Sequence, residues 1–224
     1  SFYNKKIFIN NNYLITKNII DLSNKYLKLK KFIFASTAMV YQGGSKKLNE
    51  NNKIKSSNNY ALSKIKSENY INKHLKSVDT NYYILRFFNV IGADYKNKIG
   101  LTDKYSKHLF TNLFKSFIMK KNFSLYGNNY KTPDGTAIRD YINVLDIADI
   151  ISFLAKKRVE SGIYNCGYGK GYSVLEILNK FQNHFKYKFT IQKKKKRPGD
   201  VPYLVCDNKK ITKLGWRPKY SNWK

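Results

Sequence analysis

The chain has 224 residues, 42% of them hydrophobic and 16% aromatic, with 43 Lys and Arg against 14 Asp and Glu, a formal net charge of +29. That length and apolar content exclude a disordered chain and allow one large domain or two small ones around a real core. No apolar run approaches a membrane span, no signal-peptide layout opens the sequence, and Cys166 and Cys206 show no CxxC or metal-ligand spacing.

Between Asn11 and Leu29, apolar residues recur at Leu14, Ile15, Ile19, Leu22 and Tyr26, a spacing that predicts a helix. Phe32 to Ala35 follows as a short buried strand, ending in Ser36, Thr37, Ala38, Met39, Val40 and Tyr41. Gln42 to Ser57 is polar and reads as loop. Tyr60 to His74 reads as helix and Tyr82 to Phe88 as an unbroken apolar strand. Helix and strand in alternation, with strands apolar throughout, predict a parallel sheet covered on both faces.

Gly92 to Lys107 is an irregular polar connection. Leu109 to Met119 is helical in period, and Ser124 to Tyr126 is a short strand. After a loop from Asn128 to Asp140, Tyr141 to Val144 reads as strand and Leu145 to Lys156 as helix. Asp146 and Asp149 sit near the positive end of that helix. Ile163 to Cys166 is a further strand. The turn Gly167-Tyr168-Gly169-Lys170-Gly171 lacks the pattern of a phosphate cradle, so Ser173 is expected simply to cap the helix Val174 to Phe185. Tyr187 to Ile191 reads as strand, Lys193 to Arg197 as a basic loop and Asn208 to Leu214 as a short helix.

The high charge alone would suit a nucleic-acid binder. Its lysines, however, are spread along the chain amid Asn, Ile and Tyr, the composition AT-rich codons produce. RNP, zinc-finger and helix-turn-helix signatures are missing, so nucleic acid is not the expected partner. Two unclustered cysteines suit a reducing compartment, and a cytoplasmic location is expected.

The chemistry concentrates around Tyr60 and Lys64. Four residues apart on a helix, a phenol and an amine share one face. A free tyrosine has a pKa near ~10 and is a poor base at neutral pH; a neighbouring cation stabilises the phenolate. Thr37, at the hydroxyl-rich strand end, offers a second proton-handling group. Thr37, Tyr60 and Lys64 therefore form a candidate oxidoreductase-type catalytic set.

Three runs carry a family resemblance: Ser36-Thr37-Ala-Met-Val-Tyr41, Tyr60-Ala-Leu-Ser-Lys64 and Leu85-Arg-Phe-Phe-Asn89-Val-Ile-Gly92-Ala. They resemble the extended short-chain dehydrogenase/reductase family. The run Tyr126-Gly127 through Thr136, Arg139, Asp140 and Val144 is similar to its UDP-glucose 4-epimerase branch. Arg197-Pro-Gly-Asp200 and Leu214-Gly215-Trp216-Arg-Pro218 fit the tail of the same branch. The resemblance covers nearly the whole chain.

It implies an α/β fold with a Rossmann-type parallel sheet and a smaller C-terminal substrate-binding lobe. Residues 1–91 would be a partial NAD-binding Rossmann domain. Residues 92–224 would be mainly a nucleotide-sugar lobe, with about 139–166 returning to the first domain. The implied reaction is NAD-dependent inversion at C4 of a UDP-hexose through a transient 4-keto sugar, in a protein expected to be a homodimer.

In that scheme Tyr60 takes the proton from the 4-hydroxyl while the C4 hydride passes to NAD. Thr37 hydrogen-bonds the 4-oxygen and relays the proton, and Lys64 also holds the nicotinamide ribose. Phe88 and Asn11 match cofactor-side positions. Asn89, His108, Leu109 and Tyr126 match positions lining the nucleotide. Arg139 and Arg197 match arginines on the diphosphate, where a planar fork suits paired oxygens. Asp200 matches the carboxylate near the ribose. On residue chemistry alone, Arg139 could equally pair with Asp134 or Asp140.

This sequence departs from the family at several positions. Phe87 stands where Tyr is usual, Ala35 where Ser is common, and Leu204 at the position that gates sugar size. A related 4,6-dehydratase needs an acid/base pair just after the strand-end Thr, where Ala38 and Met39 stand instead. A non-catalytic basic binding protein is the reading from another class. The family's opening strand and Gly-x-x-Gly-x-x-Gly turn, which seats the NAD pyrophosphate, has no counterpart before Asn10. The expectation is therefore a fragment, inactive alone, binding NAD weakly and prone to aggregate through an exposed sheet edge.

Overall fold

The structure is a computed structural model describing residues 5–26, 28–76, 79–96, 98–100, 106 and 108–222. The connection expected over 92–107 lies partly outside the described residues. In chain order the first elements are α1 (Lys5–Phe8), a π-helical stretch (Ile9–Leu14), α2 (Ile15–Tyr26), β1 (Lys31–Thr37), a 3-10 turn (Ala38–Val40), α3 (Asn59–Leu75), β2 (Asn81–Phe87) and β3 (Asn89–Ile91). There follow α4 (Leu109–Ile118), β4 (Phe123–Tyr126), β5 (Ile138–Asn143), α5 (Val144–Lys156), β6 (Gly162–Cys166) and β7 (Gly171–Ser173). The last are α6 (Val174–Phe185), β8 (Ile191–Lys194), β9 (Tyr203–Leu204) and α7 (Lys209–Lys213).

β1, β2 and β6 form a parallel sheet in that order, with Ser36 opposite Arg86 and Thr37 opposite Phe87. Strand side chains alternate between faces. On one face Tyr82 and Ile84 pack with Ile20 of α2 and with Ile71 and Leu75 of α3. On the other, Tyr83 and Leu85 pack with Ile147, Ile150 and Leu154 of α5. The apolar run Tyr82–Leu85 in β2 thus reports burial from both sides, as the sequence predicted, and Arg86 in the same strand is buried as well. β1 occupies an edge of this sheet.

A second sheet runs β3-β5-β7, with β9 beside β5, and β4 pairs with β8 in a separate ribbon. Leu113, Phe123, Leu125, Tyr141, Ile177, Leu178, Phe181 and Phe189 make the core of this smaller lobe. The segment 139–166 divides between the two: β5 belongs to the second sheet, whereas α5 and β6 pack in the first. The last expected strand is shifted. Tyr187 and Phe189 turn their rings into the aromatic core, and pairing begins only at Ile191. That shift draws Lys193 and Lys194 of the expected basic loop into β8. Ser173 caps α6 as expected, in a capping box with Glu176.

Candidate active site

β1 ends at Thr37, whose Oγ1 accepts from the Met39 amide at 3.2 Å and so starts the 3-10 turn. α3 begins at Asn59 because the Asn58 carboxamide accepts from the Ala61 amide at 2.9 Å. Those two ends place Tyr60, in the first helical turn, beside Thr37, close enough for the Thr37 side chain to act on the phenol. Lys64, one turn further on, donates to the Ala35 carbonyl at 2.8 Å and lies 5.9 Å from the centre of the Tyr60 ring. All three members of the expected set therefore converge where β1 meets α3. The unusual Ala35 takes part through its carbonyl, which its side chain does not affect.

The electrostatics are not those of a ready phenolate. Burial pushes the Tyr60 phenol above its ordinary value, and the Thr37 hydrogen bond pulls it partly back. Burial also lowers the Lys64 ammonium, opposed by the nearby Glu68 carboxylate. In this state the Lys64 charge is engaged with a backbone carbonyl rather than with the phenol.

On the cofactor side, Asn11 is exposed while Asn12 is half-buried. Asn12 Nδ2 donates to Ser63 Oγ at 3.0 Å, and its carbonyl accepts from Thr16 at 2.6 Å and from Ser67 at 3.3 Å. The π turn rotates this asparagine, rather than its neighbour, onto α3. Phe8 packs edge-on against Tyr60, with ring centres 6.0 Å apart. Phe88 is buried beside Tyr41, Ala38, Val40 and Leu204. An ammonium, two hydroxyls and an aromatic wall fit the nicotinamide-ribose end of NAD. The glycine-rich turn offers no second phosphate cradle. The Asp140 carboxylate already accepts from the amides of Tyr168 at 2.9 Å, Gly169 at 2.7 Å and Cys206 at 3.2 Å.

A second group forms on β5 and the segment after β8. Arg139 Nη2 lies 2.5 Å from Asp200 Oδ1, and Tyr130 donates to Asp200 Oδ2 at 3.4 Å. The Arg197 guanidinium lies 4.2 Å from the centre of the Tyr126 ring. The alternative partners of Arg139 are occupied: Asp134 holds Ser173 and Thr136, and Asp140 holds backbone amides. Gly127 makes the close approach possible. Its φ is +75°, and a Cβ there would stand 2.4 Å from the Tyr130 ring.

Leu204 is paired with Arg139 across β5 and β9 and packs in the same cluster as Phe88 and Ala38. It links the catalytic strand end to the arginine group. Asn89 is half-buried in β3 opposite Tyr141, two residues along β5 from Arg139. His108 is exposed at the start of α4, its amide donating to Ser106 at 3.3 Å, and Leu109 leans on the small-lobe core. Tyr130 lies within the Tyr126–Val144 run that carries the resemblance, but its role at Asp200 does not follow from the sequence and is given by the fold alone. Among the described residues there is no cluster suited to a metal ion, and no helix is long and apolar enough to cross a membrane.

Residues 1–167 match the NAD dependent epimerase/dehydratase family. The UDP-glucose 4-epimerase of Mycoplasma pneumoniae is 34% identical over 219 residues, covering 92% of this chain and 64% of the relative. That of Azospirillum brasilense is 33% identical over 213 residues, covering 92% and 61%. Among solved structures, the UDP-glucose 4-epimerase of Bifidobacterium longum in complex with NAD+ and UDP superimposes with a TM-score of 0.86 at 29% identity, covering 95% of this chain and 66% of that one. The chain thus spans less than two thirds of the length of these relatives. With the parallel sheet, the Thr37–Tyr60–Lys64 convergence and this match in hand, the chain belongs to the NAD-dependent epimerase/dehydratase family.

Proposed function

We propose that this chain carries the proton-transfer and nucleotide-sugar-binding part of an NAD-dependent UDP-hexose 4-epimerase acting on UDP-glucose and UDP-galactose. The observation that carries the reading is the convergence of Thr37, Tyr60 and Lys64 where β1 meets α3, with Lys64 5.9 Å from the centre of the Tyr60 ring. The chemistry supplied by bound NAD is acceptance of the C4 hydride and its return to the opposite face of the sugar. Tyr60 removes the 4-hydroxyl proton. Thr37, both donor and acceptor, holds the 4-oxygen and relays that proton. Lys64 turns from the Ala35 carbonyl to the ribose and holds the phenol's charge.

Arg139 and Arg197 grip the diphosphate, while Asp200 orients Arg139 and the ribose. Tyr126, Asn89, His108 and Leu109 line the nucleotide. Asn12, beside Asn11, takes the cofactor-side role through Ser63. Leu204, wedged between Phe88 and Arg139, bears on sugar size. Nothing acidic follows Thr37: buried Ala38 and half-buried Met39 occupy that turn, which argues against dehydratase chemistry. The test is interconversion of UDP-glucose and UDP-galactose followed by proton NMR in the whole gene product with NAD. Turnover that requires Tyr60 supports the reading; no turnover of either sugar nucleotide removes it.

A further inference from the structure

Behind the Thr37–Tyr60 contact lies a charged group that the reaction scheme does not use. Glu68, on α3, is fully buried, as are Ser36 on β1 and Arg86 on β2. Ser36 Oγ donates to Glu68 Oε1 at 2.5 Å. Arg86 donates from Nε to Oε1 at 3.1 Å and from Nη2 to Oε2 at 2.7 Å. Ser36 and Arg86 are register partners across β1 and β2, so the carboxylate spans both strands at once. Arg86 is held in turn by the Glu50 carbonyl at 3.3 Å and lies 4.8 Å from the centre of the Tyr41 ring.

A buried ion pair is weak evidence for stability, because desolvation offsets its attraction; what it fixes is geometry. Here the geometry is that of the site. Glu68 follows Lys64 by four residues and Tyr60 by eight, on one side of α3. Ser36 immediately precedes Thr37. A slip of α3 along β1 by one strand residue, about 3.3 Å, would part Tyr60 from Thr37 and strand Glu68 from Ser36 and Arg86 together.

We propose that Glu68 is a positioning residue: clamped by Ser36 and Arg86, it fixes α3 at the axial position that brings Tyr60 to Thr37 and Lys64 to the end of β1. The inference rests on the reading of Tyr60 and Lys64 as the proton-handling pair. Glu68 has a second effect, since its charge stands one turn from Lys64 and opposes the lowering of the ammonium's pKa by burial. The groups facing Lys64 are Tyr60 and Glu68 on its own helix, the Phe34 ring and Ala35 carbonyl of β1, and Arg86 of β2 across Glu68.

The test is Glu68→Gln, which keeps the size of the side chain and removes its charge. Lys64 is followed by NMR of isotopically labelled lysine, its resonance assigned with Lys64→Arg, alongside kcat and KM for UDP-galactose. The expected result is a downward shift of the Lys64 titration midpoint together with a displaced Tyr60 ring resonance. It is accompanied by a kcat loss on the order of tenfold with KM within about twofold. An unmoved Tyr60 ring resonance with unchanged kcat in folded Glu68→Gln overturns the inference, because a shifted Lys64 midpoint alone reports only the lost charge. An inactive parent protein overturns the epimerase reading instead, and the NMR titration distinguishes the two.

Where Glu68→Gln does not fold, Ser36→Ala removes the strand-side contact while leaving the ion pair in place. It is expected to shift the Tyr60 ring resonance and lower kcat severalfold at unchanged KM. An unchanged resonance and unchanged kcat overturn the inference.

Discussion

Arg139 Nη2 stands 2.5 Å from Asp200 Oδ1, joining residues 61 apart in sequence. Neither acidic neighbour in the sequence, Asp134 or Asp140, takes that position. The pair holds the guanidinium beside Tyr130, and Arg139 stands in register with Leu204 of β9. A diphosphate can compete for the same planar donors.

Arg139→Ala is therefore expected to weaken UDP binding by roughly 10- to 100-fold, the equivalent of one or two charge-assisted hydrogen bonds. Arg139→Lys should recover only part of this, because an ammonium cannot offer the paired donors. Calorimetric titration with UDP measures both. Unchanged affinity in the alanine variant would remove Arg139 from the diphosphate site.

Asp140 ties β5 to the Gly167–Gly169 turn and to Cys206 through three backbone amides. Burial pushes its carboxyl up to about 6, from 3.8, against the pull of those amides. A raised carboxylate pKa means that the folded state binds the proton more tightly than the unfolded one. This contribution is thus fully present below about pH 4 and is lost as pH rises through about 6. Its ceiling is about 3 kcal/mol. Asp140→Asn should be less stable overall, with an amide meeting backbone donors, and should lack this pH-dependent increment. Urea melts of both proteins at pH 4.5 and 7.5 (values chosen as roughly bracketing the transition) check the difference. Equal pH dependence in the two would contradict it.

Much of this was legible from residue pattern. The apolar run Tyr82–Leu85 of β2, the Tyr60–Lys64 spacing and the Ser173 cap all follow from local sequence, and each stands where its pattern placed it. Short strands were not legible: β3, β7 and β9 have two or three residues, too few for a period to show. The displacement of β8 arose from Tyr187 and Phe189, whose alternation serves the aromatic core rather than a ladder. The Glu68–Arg86–Ser36 clamp was invisible for another reason. Its members lie on three elements and meet only through strand register.

The 224-residue polypeptide by itself presents the β1 edge and an apolar stripe on α2. Ile15, Ile19, Leu22 and Tyr26, at helical spacing, are 51%, 46%, 56% and 66% exposed. It is expected to self-associate through these surfaces. Replacing Ile19 and Leu22 by Lys should shift gel filtration toward the monomer. A sharp monomer from the unmodified polypeptide would contradict this.

The most direct measurement is the interconversion of UDP-glucose and UDP-galactose by the whole gene product with NAD, comparing the parent with Tyr60→Phe. The phenylalanine variant keeps the ring that packs on Phe8 and loses only the hydroxyl that meets Thr37. The account predicts that turnover falls by about 100-fold or more, with UDP affinity preserved through Arg139 and Arg197. Turnover in Tyr60→Phe equal to that of the parent would contradict it.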